Sequence, residues 1–272
     1  MDHRIRITQH DNGVAEVALV RADKMNALDA DMFSALIAAI QRLKQEPCLR
    51  AVVLHGEGKA FCAGLDMQRM AQLDSAGHGA TQDLLARSHG IANVAQYVGL
   101  GWREVPVPVI AAVHGVAFGG GLQVALGADL RLVTPDVKMS VMEIHWGLVP
   151  DMAGVVLMRG LVRDDHAREL TYSGRVVNGA EAVTLGLATR VCDDPLAQAR
   201  EMAQALALRS PSALRAAKRL LNASSQVLAD SAAALLQAES DEQTALIGAP
   251  HQREAVRAGL EKRPPVFVMP MA

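Results

Sequence analysis

The sequence predicts an α/β protein with a helical C-terminal region, and three observations carry that prediction. Short apolar runs alternate with helix-periodic segments from the N-terminus to about residue 195. Residues 106–154 hold an apolar run, three consecutive glycines and a helix-periodic segment in direct succession. From Leu196 onward the composition turns alanine-rich and helical.

Taken in order, residues 4–8 alternate polar and apolar, Asp11-Asn12-Gly13 turns, and 14–20 alternates again, which reads as a β-hairpin. Asp29 reads as the N-cap of a helix through Leu43, with Met32, Leu36, Ile40 and Leu43 on one face. Residues 49–54 form a buried strand, followed by the loop GEGKAFCAGLD. The small, polar stretch 74–80 reads as a mobile loop, and a helix is expected over about 81–98. Pro106 and Pro108 confine the start of the apolar run 107–113 to a sheet edge or entry. A second short strand, 116–118, ends in Gly119, Gly120 and Gly121, and Leu122, Ala125 and Leu126 follow at helical spacing. Next come a strand at 129–133, a Thr-Pro-Asp turn and a short segment carrying Glu143. Gly147 and Pro150 break the chain before Asp151 opens another helix. Helices are expected near 155–161 and 164–171, with short strands at 174–177 and 188–192 flanking a helix at 180–185. Further helices are expected at 196–208, 211–223, 229–247 and 250–260, and the tail KRPPVFVMP cannot be helical. The sequence contains no internal repeat.

The bulk numbers exclude several classes. With 272 residues, 50% hydrophobic, the chain can bury a core as one large domain or one domain plus an appendage. A net charge of −2 argues against nucleic acid as a partner, and aromatics at 3% argue against base stacking. Cys48, Cys62 and Cys192 are scattered without CxxC spacing, which fits a reduced cytoplasmic setting. The first residues lack an apolar h-region, so no secretory signal is expected. No window reaches the ~20 apolar residues that a membrane span needs.

The glycines point to chemistry. Without Cβ, backbone can approach a ligand closely, and the first N–H groups of a helix lack intrahelical partners. A phosphate loop would need GxxxxGK[ST] and a dinucleotide loop GxGxxG; neither is present. An oxyanion hole and plain packing remain open.

IAAVHGVAFGGG, the MEI segment twenty residues beyond Gln123, the GLVPD…G ending, FCAGLDM at 61–67 and KMNAL at 24–28 together resemble the crotonase (enoyl-CoA hydratase/isomerase) superfamily. The resemblance extends over nearly the whole chain. It implies a spiral of strand–strand–helix repeats over residues 1–200. It also implies a helical region over 201–272 that assembles a homotrimer, or a hexamer made of two trimers. The runner-up fold, a doubly wound Rossmann sheet, lacks its fingerprint glycines. The implied substrate is an acyl-CoA thioester, with coenzyme A as part of the substrate and no separate cofactor.

Gly120 and Leu65 match the family's two oxyanion-hole positions, which act through backbone N–H. Glu143, among Val141, Met142, Ile144 and Trp146, matches its catalytic glutamate; an apolar setting raises a carboxyl pKa toward neutrality. Gln123 departs from the two-glutamate hydratases: as a candidate catalytic residue an amide can orient a water or substrate by hydrogen bonds, but it cannot shuttle a proton near pH 7. Asp151 departs as well: the family's dienoyl-CoA isomerases carry an aspartate at this distance, yet Asp151 reads equally as a helix N-cap. Lys24, Met25, Asn26, Ala63, Asp66, Met67 and Gln68 fall in segments that grip coenzyme A in the family. Lys59, Arg69, Lys262 and Arg263 are candidates for phosphate contacts. His114 and His145 lack metal-ligand spacing, so no metal is expected, and Ser140 lies in no nucleophile elbow. Asp129 is expected to tie a loop. The favoured reaction is double-bond isomerisation, with 2-enoyl-CoA hydration as the alternative. A non-catalytic acyl-CoA- or RNA-binding scaffold is third, and the sequence lacks the basic stripe RNA would need.

Overall fold

The computed structural model describes residues 4–67, 84–225 and 230–266. Gln68, Arg69, the loop expected at 74–80 and the start of the helix expected at 81–98 lie outside the described residues. The N-terminal hairpin forms as predicted, β1 (Ile5–Gln9) antiparallel to β2 (Val14–Leu19), with Asn12 Oδ1 accepting from Val14 N across the turn. Helix α1 (Ala30–Lys44) starts where Asp29 accepts the Met32 N–H at 2.9 Å, and it buries Met32, Leu36, Ile40 and Leu43. Strand β3 (Ala51–Gly56) then lies parallel to β2.

Helix α2 (Val94–Glu104) begins well after residue 81. Asn93 accepts the Gln96 N–H at 2.8 Å while Gln96 Oε1 accepts the Asn93 N–H at 3.1 Å, a reciprocal cap that fixes the start. After β4 (Val109–Val113) come β5 (Val116–Phe118), α3 (Gly120–Gly127), β6 (Leu130–Val133) and β7 (Lys138–Ser140). A 3-10 turn over Glu143–Trp146 leads to α4 (Gly154–Met158), α5 (Asp164–Ser173), α6 (Gly179–Leu185) and β8 (Arg190–Val191).

A six-stranded sheet runs in the order β1-β2-β3-β4-β6-β8 and is parallel after its first pair; β5 and β7 form a separate parallel pair. From β4 onward the chain lays one strand in the large sheet and the next in the small one. Successive strands join the same edge, without the order reversal of a doubly wound sheet. This is the strand–strand–helix spiral that the resemblance implies.

Two further local expectations fail. The strand expected at 174–177 reduces to an isolated bridge between Met139 and Val177, because Gly174, at φ 60°, ends α5 as its C-cap. Asp151 does not open a helix: α4 starts at Gly154 after Ala153, whose φ of 67° makes it a left-handed N-cap without a side-chain bond of its own.

Helix α7 (Pro195–Ala207) runs through residue 200 and packs Ala199 and Ala203 against Val53, Ile110 and Leu132 of the sheet. The next helix, α8 (Pro211–Ser224), docks through polar groups at helical spacing. Arg215 donates to the Leu49 carbonyl, Lys218 to those of Trp102 and Val107, and Asn222 to that of Arg103. Helices α9 (Asp230–Leu246) and α10 (Pro250–Glu261) follow, and residues 263–266 are not helical. Leu220 and Leu221 are exposed, whereas Leu236 is buried within its own chain. Among the described residues no helix is long and apolar enough to cross a membrane.

Candidate active site

A short ladder of backbone bonds joins two loops that are far apart in sequence. Cys62 N donates to Val116 O at 3.1 Å and Phe118 N to Cys62 O at 3.1 Å. The approach requires glycine: Gly119 holds φ 50°, and a Cβ on Gly121 would lie 2.3 Å from the Cys62 carbonyl oxygen. The loop carrying Leu65 therefore lies beside the turn carrying Gly120, and both line a cavity of about 610 Å³. Neither the Leu65 nor the Gly120 N–H donates to an acceptor among the described residues. The Gly120 N–H opens α3 and so sits at the positive end of that helix.

Glu143 lines the same cavity. It is buried; its Oε1 accepts from Gln123 Nε2 at 2.6 Å, while its Oε2 is buried without a partner. Burial pushes its carboxyl up to about 7, and the nearby Asp151 charge adds to the rise while the Gln123 bond opposes it. Asp151 lines the cavity and keeps some accessible surface there, yet the dense surroundings push its carboxyl up to about 6 against a hydrogen bond with Gln243. The structure thus turns Asp151 into the cavity rather than onto a helix end.

Gln123 is placed differently from its expected role. It does not line the cavity but lies behind Glu143, 2% exposed. Its Oε1 accepts from Met152 N and Gly154 N, each at 2.8 Å.

Of the expected coenzyme A segment, Lys24, Met25, Ala63, Asp66 and Met67 line the cavity, as does Lys59. Asp66 is held by an ion pair to Arg21 at 2.6 Å. Asn26 is not part of the lining: fully buried at φ 55°, it donates from Nδ2 to Glu57 O and Ala60 O and accepts the Arg21 N–H. Its side chain fastens the loop rather than facing a ligand. Arg263 is engaged by Glu254 and Glu261. His114 bonds the Gly58 carbonyl, His145 the Gly174 carbonyl, and Asp129 accepts from Val109 N and Lys218, so these serve the framework.

Sequence reasoning missed the part played by α9. Glu239 accepts the Ala153 N–H at 3.1 Å and the Val155 N–H at 3.3 Å, supplying the cap that α4 lacks. Burial and the Asp151 charge push its carboxyl up to about 8. One turn on, Gln243 lines the cavity and accepts the Val149 N–H at 3.2 Å. Their four-residue spacing puts Glu239 and Gln243 on one face of the helix, but Gln237 and Asp241 share that spacing, so the sequence alone does not single the pair out. Helix α10 supports the other side, with Gly259 against the Trp146 ring and Val256 clustered with Leu148.

Comparison with known proteins agrees with this geometry. The profile of the enoyl-CoA hydratase/isomerase family matches residues 9–269. The chain belongs to this family, within the crotonase superfamily. It is 32% identical to the YngF protein of Bacillus subtilis (strain 168) over 98% of this chain and 99% of that one. It is 30% identical to the mitochondrial methylglutaconyl-CoA hydratase of Mus musculus, over 97% of this chain and 82% of that one. The crystal structure of an enoyl-CoA hydratase/isomerase from Mycobacterium paratuberculosis superposes with a TM-score of 0.83 at 27% identity, covering 94% of this chain and 98% of that one. As a crotonase-superfamily member, the chain carries on one cavity the two elements described above: unpartnered backbone donors and a buried carboxylic acid.

Proposed function

We propose that this chain shifts double bonds in enoyl- or dienoyl-CoA thioesters, with Glu143 as the acid/base. The observation that carries the reading is that Glu143, whose Oε2 is buried without a partner, lines the same cavity as Leu65 and Gly120 with their free N–H groups, while Gln123 does not line it. In a 3-enoyl thioester, Glu143 removes a proton from C2. The electron pair moves into the thioester carbonyl, whose oxygen becomes anionic between the Leu65 and Gly120 N–H groups. The protonated Glu143 then returns the proton to C4, and the double bond ends between C2 and C3. The two donors stabilise the dienolate between these steps, each worth ~10²–10³ in rate. A carboxyl group near 7 serves both steps close to neutral pH. Asp151 serves the far end of a 3,5-diene.

The coenzyme A portion lies along Lys24, Met25, Ala63, Asp66 and Met67, with Lys24 and Lys59 as the cations nearest its phosphates. The exposed Leu220 and Leu221 lie in a contact between copies of a homotrimer, or of a hexamer; a monomer in sedimentation at micromolar concentration would remove that part of the reading.

Hydration of a 2-enoyl thioester is the second reading. It is favoured by the hydratase name of the mouse relative and by a second cavity carboxylate in Asp151. Ultraviolet absorbance with 2-enoyl-, 3-enoyl- and 3,5-dienoyl-CoA separates the two. The proposal expects new conjugation from the 3-enoyl and a shifted chromophore from the dienoyl substrate. Loss of 2-enoyl absorbance alone would support hydration instead.

A further inference from the structure

The side-chain amide of Gln123 is saturated on its carbonyl side. Both lone pairs of Oε1 are taken by the N–H groups of Met152 and Gly154, at 2.8 Å each. That pair of donors settles which way the amide points, since a flipped amide would set N–H against N–H. Nε2 must then face Glu143, and it donates to Oε1 at 2.6 Å. Two glycines admit this arrangement. A Cβ on Gly154 would lie 2.6 Å from Gln123 Oε1, and one on Gly119 would lie 3.1 Å from Glu143 Oε1. With Oε1 pinned, Oε2 is the Glu143 oxygen left to meet a ligand: it is buried without a partner, on a residue that lines the cavity.

We infer that Gln123 is a positioning residue: it selects the Glu143 oxygen that meets substrate and ties Glu143 to the turn bearing Asp151, and it does not hold a water. Its carbonyl oxygen has no lone pair left for one, and it does not reach the cavity. Among the described residues no other side chain donates to Glu143, although nearby backbone N–H groups also favour its ionised form. The charged groups around it are few. Asp151 faces it from the turn after Pro150, with Glu239 of α9 behind Asp151. His145 of its own turn is bonded away to the Gly174 carbonyl. Asp23, Lys24, Lys59 and Asp66 line other parts of the cavity wall. The Gln123 N–H is therefore the side-chain contact that favours the ionised form of Glu143, and removing it makes the proton harder to release. A glutamate at 123 would still accept the Met152 and Gly154 N–H groups. It would also set a second carboxyl oxygen against Glu143, and the two would share a proton.

The kinetic side of this inference rests on the proposed reaction; the titration below does not. The full chain is labelled with [δ-13C]glutamate, and the Glu143 carboxyl resonance is identified as the one that Glu143→Gln removes. In the natural protein it should titrate near neutral pH. In Gln123→Met the midpoint should rise by about one unit, which lowers the ionised fraction on the acid side about tenfold. In Gln123→Glu the pair should keep one proton to higher pH than natural Glu143 does, and this variant stays informative if Gln123→Met fails to fold. The acidic limb of kcat/KM should move with the NMR midpoint while KM changes little; a purely structural role would lower kcat/KM without moving that limb. An unchanged Glu143 midpoint in a folded Gln123 variant would overturn the inference and leave the proposed reaction standing. A moving midpoint in a protein that turns over no enoyl thioester would uphold it and remove the proposed reaction.

Discussion

The cavity has two halves that are built in opposite ways. The half holding Leu65 and Gly120 is made of backbone, and its position depends on glycines and a few main-chain bonds between Cys62, Val116 and Phe118. The half holding Glu143 and Asp151 is made of side chains drawn from distant segments, with Gln123 from α3 behind one carboxyl and Glu239 and Gln243 from α9 around the other. The backbone half is indifferent to most side chains and intolerant of a lost N–H or an added Cβ. The side-chain half depends on the chemical identity of each group.

That contrast sets the expected size of several substitutions. Gly120→Pro deletes a donor outright and should abolish turnover; a folded variant, verified by circular dichroism, with full activity would break the backbone half of the account. Glu143→Gln should lower kcat by ~10²–10⁴ while acyl-CoA binding measured by calorimetry persists. Glu239→Ala leaves the Ala153 and Val155 N–H groups without their acceptor and should destabilise the fold by about 1–3 kcal/mol in denaturant titration. Leu65→Ala should have the smallest effect on kcat, because that position acts through its N–H; a large loss would mean its side chain matters.

Stability should respond to pH in a defined direction. Burial raises the Glu143 carboxyl to about 7, Asp151 to about 6 and Glu239 to about 8, all above their values in the unfolded chain. A group raised in the folded state contributes stability that is complete below its unfolded value and is lost as pH rises through the folded value. The window for these three therefore runs from about pH 4 to 8. Glu143→Gln removes one such group, so its Tm should exceed that of the natural protein at pH 8, with the gain shrinking toward pH 5. A gain that grew toward pH 5 would contradict the raised value.

The backbone half was readable in the sequence because its signals are local. Three adjacent glycines after a short apolar run point to close approach, and the resemblance carried by FCAGLDM and VAFGGG pairs Leu65 with Gly120. The hairpin, the Asp29 cap and the C-terminal helices were legible for the same reason. The expected helix over 81–98 misplaces the start of α2, although Asn93 and Gln96 carry its capping spacing. Asp151 stayed ambiguous because Pro-Asp before a helix looks like a cap; the real cap, Glu239, comes from α9, which no window around residue 151 contains. Asn26 falls in the segment that the resemblance assigns to coenzyme A, and the loop-fastening role of its side chain is not legible because only folding brings Arg21, Glu57 and Ala60 together.

The central claim is that two backbone donors and one carboxylic acid suffice to move a double bond, with no second glutamate at position 123. It is tested most directly by kcat/KM on matched 2-enoyl and 3-enoyl or 3,5-dienoyl thioesters, for the natural protein and for Glu143→Gln. The account predicts that isomerisation exceeds hydration in the natural protein and that both fall by ~10²–10⁴ in the variant. Efficient hydration without isomerisation in the natural protein would contradict it.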